Sequence, residues 1–312
     1  MHQNVLILSR DAREYAALLE DLASDSLQFL PCEEGAALPA EAATARLCLA
    51  DPGLLVPVLP KLPQLRWVQS TWAGVTPLLA AAREGLQVSG IKDVFGPQMA
   101  EYALGYMLAH VLERDERARA QAARRWYDAP TGTLRGRRLG VMGTGSIGAE
   151  LARRCALFGM EPVGYSRSGR CHEPFVRVYD AAQLQAFLQE LDVLVAVLPD
   201  TPATSELLDA TALRALPSHA QLINVGRGSL IVEEDLLAVL AEGHLGEVVL
   251  DVFQQEPLPP EHDFWRAPRL RLTAHVAAQS WPADIARVFR ENLLRYHRGA
   301  PLLYELDAAR GY

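Results

Sequence analysis

The sequence predicts an α/β fold: a doubly wound parallel sheet joined to a second, smaller α/β unit. Three observations predict it. Short apolar runs alternate with helical patterns along the chain, as in strand–helix units stacked into a parallel sheet. One run, Arg138–Met142, feeds straight into the glycine-rich turn Gly143-Thr144-Gly145-Ser146-Ile147-Gly148 and then a helical pattern. A chain of 312 residues, 50% of them hydrophobic, is also long enough for two cores.

Taken in order, residues 5–8 read as a first strand and 14–22 as a helix. Further strands are expected at 47–49, 67–69 and 86–88, with a helix over 75–82. Pro52, Pro57, Pro60 and Pro63 break the middle of this unit into loop. Residues 99–119 form one long helical pattern, apolar first and then densely charged (Glu113-Arg114-Asp115-Glu116-Arg117), which suits a solvated face with i,i+4 pairs. Residues 124–133, with Trp126, Tyr127 and Pro130, read as loop. The second unit then offers strands at 138–142, 162–165, 193–198, 221–225, 247–252 and 271–273. Helices fall at 146–158, 181–191 and 233–241, and a last one at 283–296 leads to the tail.

Composition removes several function classes. A net charge of −8 argues against general nucleic-acid binding, which needs a basic surface. The N-terminal Asn4-Val5-Leu6-Ile7-Leu8-Ser9 is too short for a signal segment, and no apolar stretch reaches membrane-spanning length. Cys32, Cys48, Cys155 and Cys171 are scattered without a C-x-x-C pair, so neither a metal site nor a disulfide framework is expected. A cytoplasmic location is the expectation.

The glycine turn points to a dinucleotide. Gly143, Gly145 and Gly148 permit a tight turn, close backbone approach to a pyrophosphate and close helix–strand packing. Ser146 and Ile147 open the helix whose free N–H groups face the phosphates. The end of the next strand says which dinucleotide. An acid is expected there for an unphosphorylated ribose, but Tyr165-Ser166-Arg167-Ser168-Gly169-Arg170 has none. Two guanidiniums (Arg167, Arg170) and two hydroxyls (Ser166, Ser168) suit a 2′-phosphate, so NADP(H) is preferred over NAD(H).

Three charged residues then stand at or just past the ends of apolar runs, where an open α/β sheet binds its ligand. They are Arg227 in Asn224-Val225-Gly226-Arg227-Gly228, Glu256 in Asp251-Val252-Phe253-Gln254-Gln255-Glu256-Pro257, and His275 in Thr273-Ala274-His275-Val276. A guanidinium, a carboxylate and an imidazole together suit an anionic carbonyl substrate that is protonated as it is reduced.

On these residues the chain resembles the D-isomer-specific 2-hydroxyacid dehydrogenases over nearly its whole length. The resemblance runs through Gln69-Ser70-Thr71-Trp72-Ala73-Gly74-Val75, Met99-Ala100-Glu101-Tyr102-Ala103-Leu104, the Gly143–Gly148 turn and Leu198-Pro199-Asp200-Thr201-Pro202. It is completed by Ile223–Gly228, Asp251-Val252-Phe253 with Glu256-Pro257, and His275-Val276-Ala277. Within the family it is most similar to the shorter, NADPH-using bacterial glyoxylate/hydroxypyruvate reductases.

The resemblance implies a Rossmann domain over 97–283 and a flavodoxin-like substrate domain over 1–96, completed by 284–312, closing on the bound pair to exclude water. It implies His275 as proton donor to the substrate oxygen, Glu256 as the partner fixing the imidazole tautomer, and Arg227 as the group polarising the carbonyl. Backbone N–H groups of Ala73, Gly74 and Val75, beside Trp72, would clamp the carboxylate. Leu198, Pro199 and Val225 would line the cofactor, with Asp251 at or near the nicotinamide carboxamide. A homodimer is implied through the 99–119 helix, with Trp126 similar to a tryptophan that reaches the neighbouring subunit's site. No metal is implied. The chain departs from the family pattern at Ala274, Trp72 and Thr76; Trp72 replaces a smaller residue and is expected to narrow the pocket in favour of small 2-oxo acids. Two alternatives stay open: a relative acting on another 2-oxo acid such as 2-ketogluconate, and an NAD(P)-sensing binding protein that keeps the triad. Glu256 argues against formate dehydrogenase, which has Gln there.

Overall fold

In this computed structural model residues 3–306 are described, so the terminal residues of the first domain, 1–2 and 307–312, lie outside the described residues. The chain divides into two compact units, Met1–Val94 with Ser280–Tyr312, and Phe95–Gln279.

The first unit carries β1 (Gln3–Leu8), α1 (Ala12–Leu18), β2 (Leu27–Cys32), β3 (Leu47–Ala50), α2 (Pro52–Leu55), β4 (Trp67–Ser70), α3 (Thr76–Ala81) and β5 (Gln87–Ser89). Its parallel sheet has the order β2-β1-β3-β4-β5, the flavodoxin-like arrangement. Strands β3 and β4 are buried at every residue; β3 is accordingly apolar throughout, whereas β4 buries Gln69 and Ser70 beside Trp67 and Val68. Strand β2 was absent from the sequence expectation. It is an edge strand with exposed Gln28 and with Pro31 in its run, and an edge is where a sheet tolerates a missing N–H. The C-terminal helix, Pro282–His297, joins this unit through aromatic stacking. The Trp67 ring lies 5.3 Å from Phe289 and 5.5 Å from Tyr296. Asn292, buried, donates to Gln69 Oε1 at 2.8 Å beside them.

The second unit begins with α4 (Gly96–Val111) and α5 (Arg114–Ala122), where one continuous helix was expected. The break falls at Glu113, whose φ of +50° is left-handed and cannot continue a right-handed helix. Then follow β6 (Arg138–Met142), α6 (Ser146–Leu157), β7 (Glu161–Tyr165), β8 (Arg177–Tyr179), α7 (Leu184–Leu188) and β9 (Val193–Ala196). The unit continues with α8 (Ala210–Ala215), β10 (Gln221–Asn224), α9 (Glu233–Ala241), β11 (Glu247–Leu250) and β12 (Leu270–Leu272). The sheet order is β12-β11-β10-β9-β6-β7-β8, parallel throughout. This is the doubly wound arrangement, with its reversal between β6 and β9. One face packs on α4 and α6 through Ala103, Met107, Leu151 and Ala152; the other packs Phe187, Leu213 and Leu236. Strand β8 and helix α8 were not expected, being only three and six residues long. Strands β9 and β11 also end sooner than their apolar runs, so Leu198 and Asp251 leave the ladder and stand at the sheet's carboxyl edge.

Candidate active site

At the reversal point, β6 passes into the glycine turn. Gly143 sits at φ +104°, a conformation open to glycine but not to residues with a β-carbon. A Cβ on Gly148 would meet the Gly143 carbonyl oxygen at 1.9 Å, so the helix can start this close to the strand only with glycine there. A Cβ on Gly145 would meet nothing within 4 Å, leaving backbone bare toward open space. Helix α6 has no side-chain cap at its N-terminus, so the first N–H groups, at Ser146 and Ile147, are available to an anion. These features fit a dinucleotide pyrophosphate. The ends of β9 and β10 approach each other beside the turn: a Cβ on Gly226 would lie 2.9 Å from the Leu198 carbonyl oxygen. Leu198, Pro199 and buried Val225 therefore share this edge.

Past β7, Ser166 donates its backbone N–H to Tyr179 O at 3.0 Å, which holds the turn that follows. Arg167, Ser168 and Arg170 are exposed, and among the described residues neither guanidinium has a side-chain partner. An acid does approach in space, since Asp180 bridges to Ser168. Its carboxylate, however, caps a short helix by accepting from Ala182 N at 3.0 Å. Spacing along the chain could not reveal that neighbour.

His275 and Glu256 are brought together. His275 Nδ1 lies 2.7 Å from Glu256 Oε2, and Glu256 Oε1 accepts the Phe253 N–H at 3.0 Å. The carboxylate is thus aimed at the ring by its own turn. His275 stands at φ +55°, a left-handed backbone that costs a residue with a β-carbon about 1–2 kcal/mol. Asp251 holds it there: its carbonyl oxygen accepts His275 N–H at 2.8 Å. Its carboxylate accepts Val276 N at 2.9 Å, Ala277 N at 2.8 Å and Thr273 Oγ1 at 2.5 Å. Asp251 is 1% exposed, with Oδ1 accepting twice and Oδ2 once, so the structure places it beneath the histidine loop.

Arg227 follows β10 in extended backbone. Asn224, buried, fixes the segment by donating to Arg227 O at 2.9 Å and accepting Gly226 N–H at 3.1 Å. The guanidinium donates to Gly226 O at 2.7 Å and lines a cavity of about 290 Å³ with Asp200, Ser229, Phe253 and Gln254. Arg227 has no contact with Glu256 or His275 among the described hydrogen bonds; Phe253, which lines its cavity, is the residue whose N–H orients Glu256. Sequence reasoning gave no role to Asn224, Thr273 or Tyr102, although each lies in a quoted motif.

The first unit carries the Trp72–Val75 loop at the end of β4. Ser70 Oγ donates to Trp72 O at 2.8 Å, and Asp51, buried, accepts from Ser9, Arg10 N and Thr71 to tie three strand ends together. Trp72 is 40% exposed, with the Arg10 guanidinium 5.7 Å from its ring centre. Ala73 and Gly74 are exposed and Val75 is buried.

Comparison with known proteins agrees with this architecture. Residues 104–277 match the family model for the D-isomer specific 2-hydroxyacid dehydrogenase, NAD binding domain. A glyoxylate/hydroxypyruvate reductase A of Klebsiella pneumoniae (strain 342) is 34% identical over 80% of this chain and 82% of that protein. The crystal structure of a D-isomer specific 2-hydroxyacid dehydrogenase family protein from Aeromonas salmonicida superposes with TM-score 0.92 at 38% identity, covering 99% of this chain and 100% of the other. An NADPH-dependent glyoxylate/hydroxypyruvate reductase from Sinorhizobium meliloti, solved with NADP and sulfate, gives TM-score 0.86 at 28% identity over 99% and 100%. With a glycine turn at the sheet's reversal point and a carboxylate-held histidine at its edge, the chain belongs to the D-isomer specific 2-hydroxyacid dehydrogenases.

Proposed function

We propose that this protein reduces small 2-oxo acids, glyoxylate and hydroxypyruvate among them, to 2-hydroxy acids with NADPH as reductant. The observation that carries the reading is the His275–Glu256 pair, 2.7 Å apart, with His275 Nε2 without a partner among the described residues. A bound reduced nicotinamide dinucleotide supplies the hydride. His275 donates a proton from Nε2 to the substrate oxygen as charge develops on it, while Glu256, accepting from Nδ1–H, aims the ring and balances the charge of the protonated imidazole. Arg227 binds the carboxylate or carbonyl oxygen in two-pronged fashion, a task for a planar guanidinium. The exposed N–H groups of Ala73 and Gly74, with Val75, take the substrate carboxylate; the resemblance of that loop to the family's supports this.

NADPH rather than NADH is supported by the unpartnered Arg167 and Arg170, and by relatives whose structures hold NADP or NADPH. A cytoplasmic homodimer is part of the same proposal: Trp126 is 91% exposed, and the four cysteines are free thiols. The test is a panel of small 2-oxo acids assayed with both reduced cofactors, with mass in solution measured alongside. Turnover of glyoxylate or hydroxypyruvate that is faster with subsaturating NADPH is the expected result. NADPH binding without turnover of any 2-oxo acid would replace the reading by a cofactor-sensing protein.

A further inference from the structure

We propose that Tyr102 is a positioning residue for the proton-donating step, acting on the His275 loop through Thr273 and Asp251. The inference rests on the reading of His275 as the acid. Tyr102 Oη, on α4, lies 2.5 Å from Thr273 Oγ1, which lies 2.5 Å from Asp251 Oδ1. The direction of this chain follows from the atoms. An ionised carboxylate only accepts, so the single hydroxyl proton of Thr273 goes to Asp251. Thr273 Oγ1 must then accept, and Tyr102 is the donor. Hydrogen bonds aligned head to tail polarise one another, so the tyrosine strengthens the threonine's bond to the carboxylate.

What the carboxylate holds is the catalytic loop. The amides of Val276 and Ala277 close on its two oxygens and that of His275 on the Asp251 carbonyl, and together they keep His275 in a left-handed backbone that its β-carbon disfavours. Burial, together with the neighbouring Asp251, pushes the Tyr102 hydroxyl well above the ordinary tyrosine range, so it retains the proton it donates. The ring itself rests against Tyr106, with centroids 4.9 Å apart, so Phe at this position keeps the packing and loses the donor alone.

The experiment compares Tyr102→Phe, Thr273→Val and Thr273→Ser in the full-length protein, measuring kcat, NADPH affinity, thermal midpoint and the isotope effect with deuterated NADPH. One lost hydrogen bond predicts a fall in kcat of about fivefold for Tyr102→Phe. NADPH affinity should stay unchanged. The isotope effect should rise, because a slower chemical step takes a larger share of each turnover. Thr273→Val should behave alike, and Thr273→Ser, which keeps the hydroxyl, should restore kcat. Wild-type kcat in Tyr102→Phe would overturn the proposal. So would a loss that merely tracks the folded fraction while the isotope effect stays put. His275→Gln separates the two levels: retained turnover there sinks the underlying assignment, whereas its collapse beside a normal Tyr102→Phe sinks the relay alone.

Discussion

Replacing Glu256 by Gln isolates the charge on the histidine's partner. In the structure Glu256 Oε1 accepts the Phe253 N–H at 3.0 Å, and Oε2 faces His275 Nδ1 at 2.7 Å. Glutamine keeps an oxygen for Phe253, so its NH₂ turns toward Nδ1 and leaves the histidine proton on Nε2. Geometry survives; the negative charge and the acceptor for an Nδ1 proton do not. A hydrogen bond to a charged group is worth about 1.5–3 kcal/mol. The pair is half open to water, with side chains 50% and 36% exposed, and solvent at such exposure brings ion pairs toward about 1 kcal/mol. A loss of about 1–2 kcal/mol of transition-state stabilisation is the balance, or roughly 5–30-fold in kcat. The assay is steady-state NADPH oxidation at saturating glyoxylate, with NADPH affinity measured by fluorescence. Glu256→Ala should fall further, because Phe253 also loses its acceptor. A Gln variant with wild-type kcat, or one whose whole loss lies in KM, would refute the role given to the charge.

Three further outcomes are expected. Arg167→Ala with Arg170→Ala should raise KM for NADPH about 10–100-fold while leaving KM for NADH alone, since exposed guanidiniums on a dianionic phosphate each contribute about 1 kcal/mol or more; equal effects on both cofactors would remove the 2′-phosphate assignment. Trp72→Ala should improve bulky 2-oxo acids relative to glyoxylate, because the indole stands on the loop proposed to take the substrate carboxylate, with Arg10 over it; an unaltered substrate ranking counts against it. His110 gives a pH dependence. Burial lowers its pKa and Arg137 adds to that, against the opposing pull of Glu247, 3.7 Å away, and of Glu113. The unfolded chain therefore binds the extra proton first, below about pH 6.5. The stabilisation from neutral His110 is present above that pH and is lost as pH falls through the lowered native value. His110→Gln should accordingly lose less thermal stability than wild type on acidification; parallel losses would show that His110 does not set this slope.

How far the sequence could be read depends on the range of the interactions involved. Strands β9 and β10 were legible because burial on both faces selects apolar residues, all four of β9 and the central Leu222 and Ile223 of β10. The glycine turn was legible because its geometry excludes side chains outright at Gly148. Strand β2 was not, since a sheet edge tolerates Pro31 and polar neighbours, and β8 offers only three residues of pattern. The 99–119 pattern is helical nearly throughout; only the turn at Glu113 divides it, and nothing in the local residue preference marks that spot.

The candidate site divides along the same line. Residue type and order alone named Arg227, Glu256 and His275, since a reductase of 2-oxo acids needs an anion-binding cation, an acid and a group to orient that acid. The hydrogen bonds that aim them join residues far apart in the chain: Glu256 to His275 across 19 positions, Asp251 to Ala277 across 26, and Tyr102 to Thr273 across 171. No local pattern records such pairs. Chain composition settled which chemistry is available, because side-chain functional groups are written residue by residue. Which of those groups touch was decided by packing, because α4 meets the edge of the sheet only after the strands between them have been stacked.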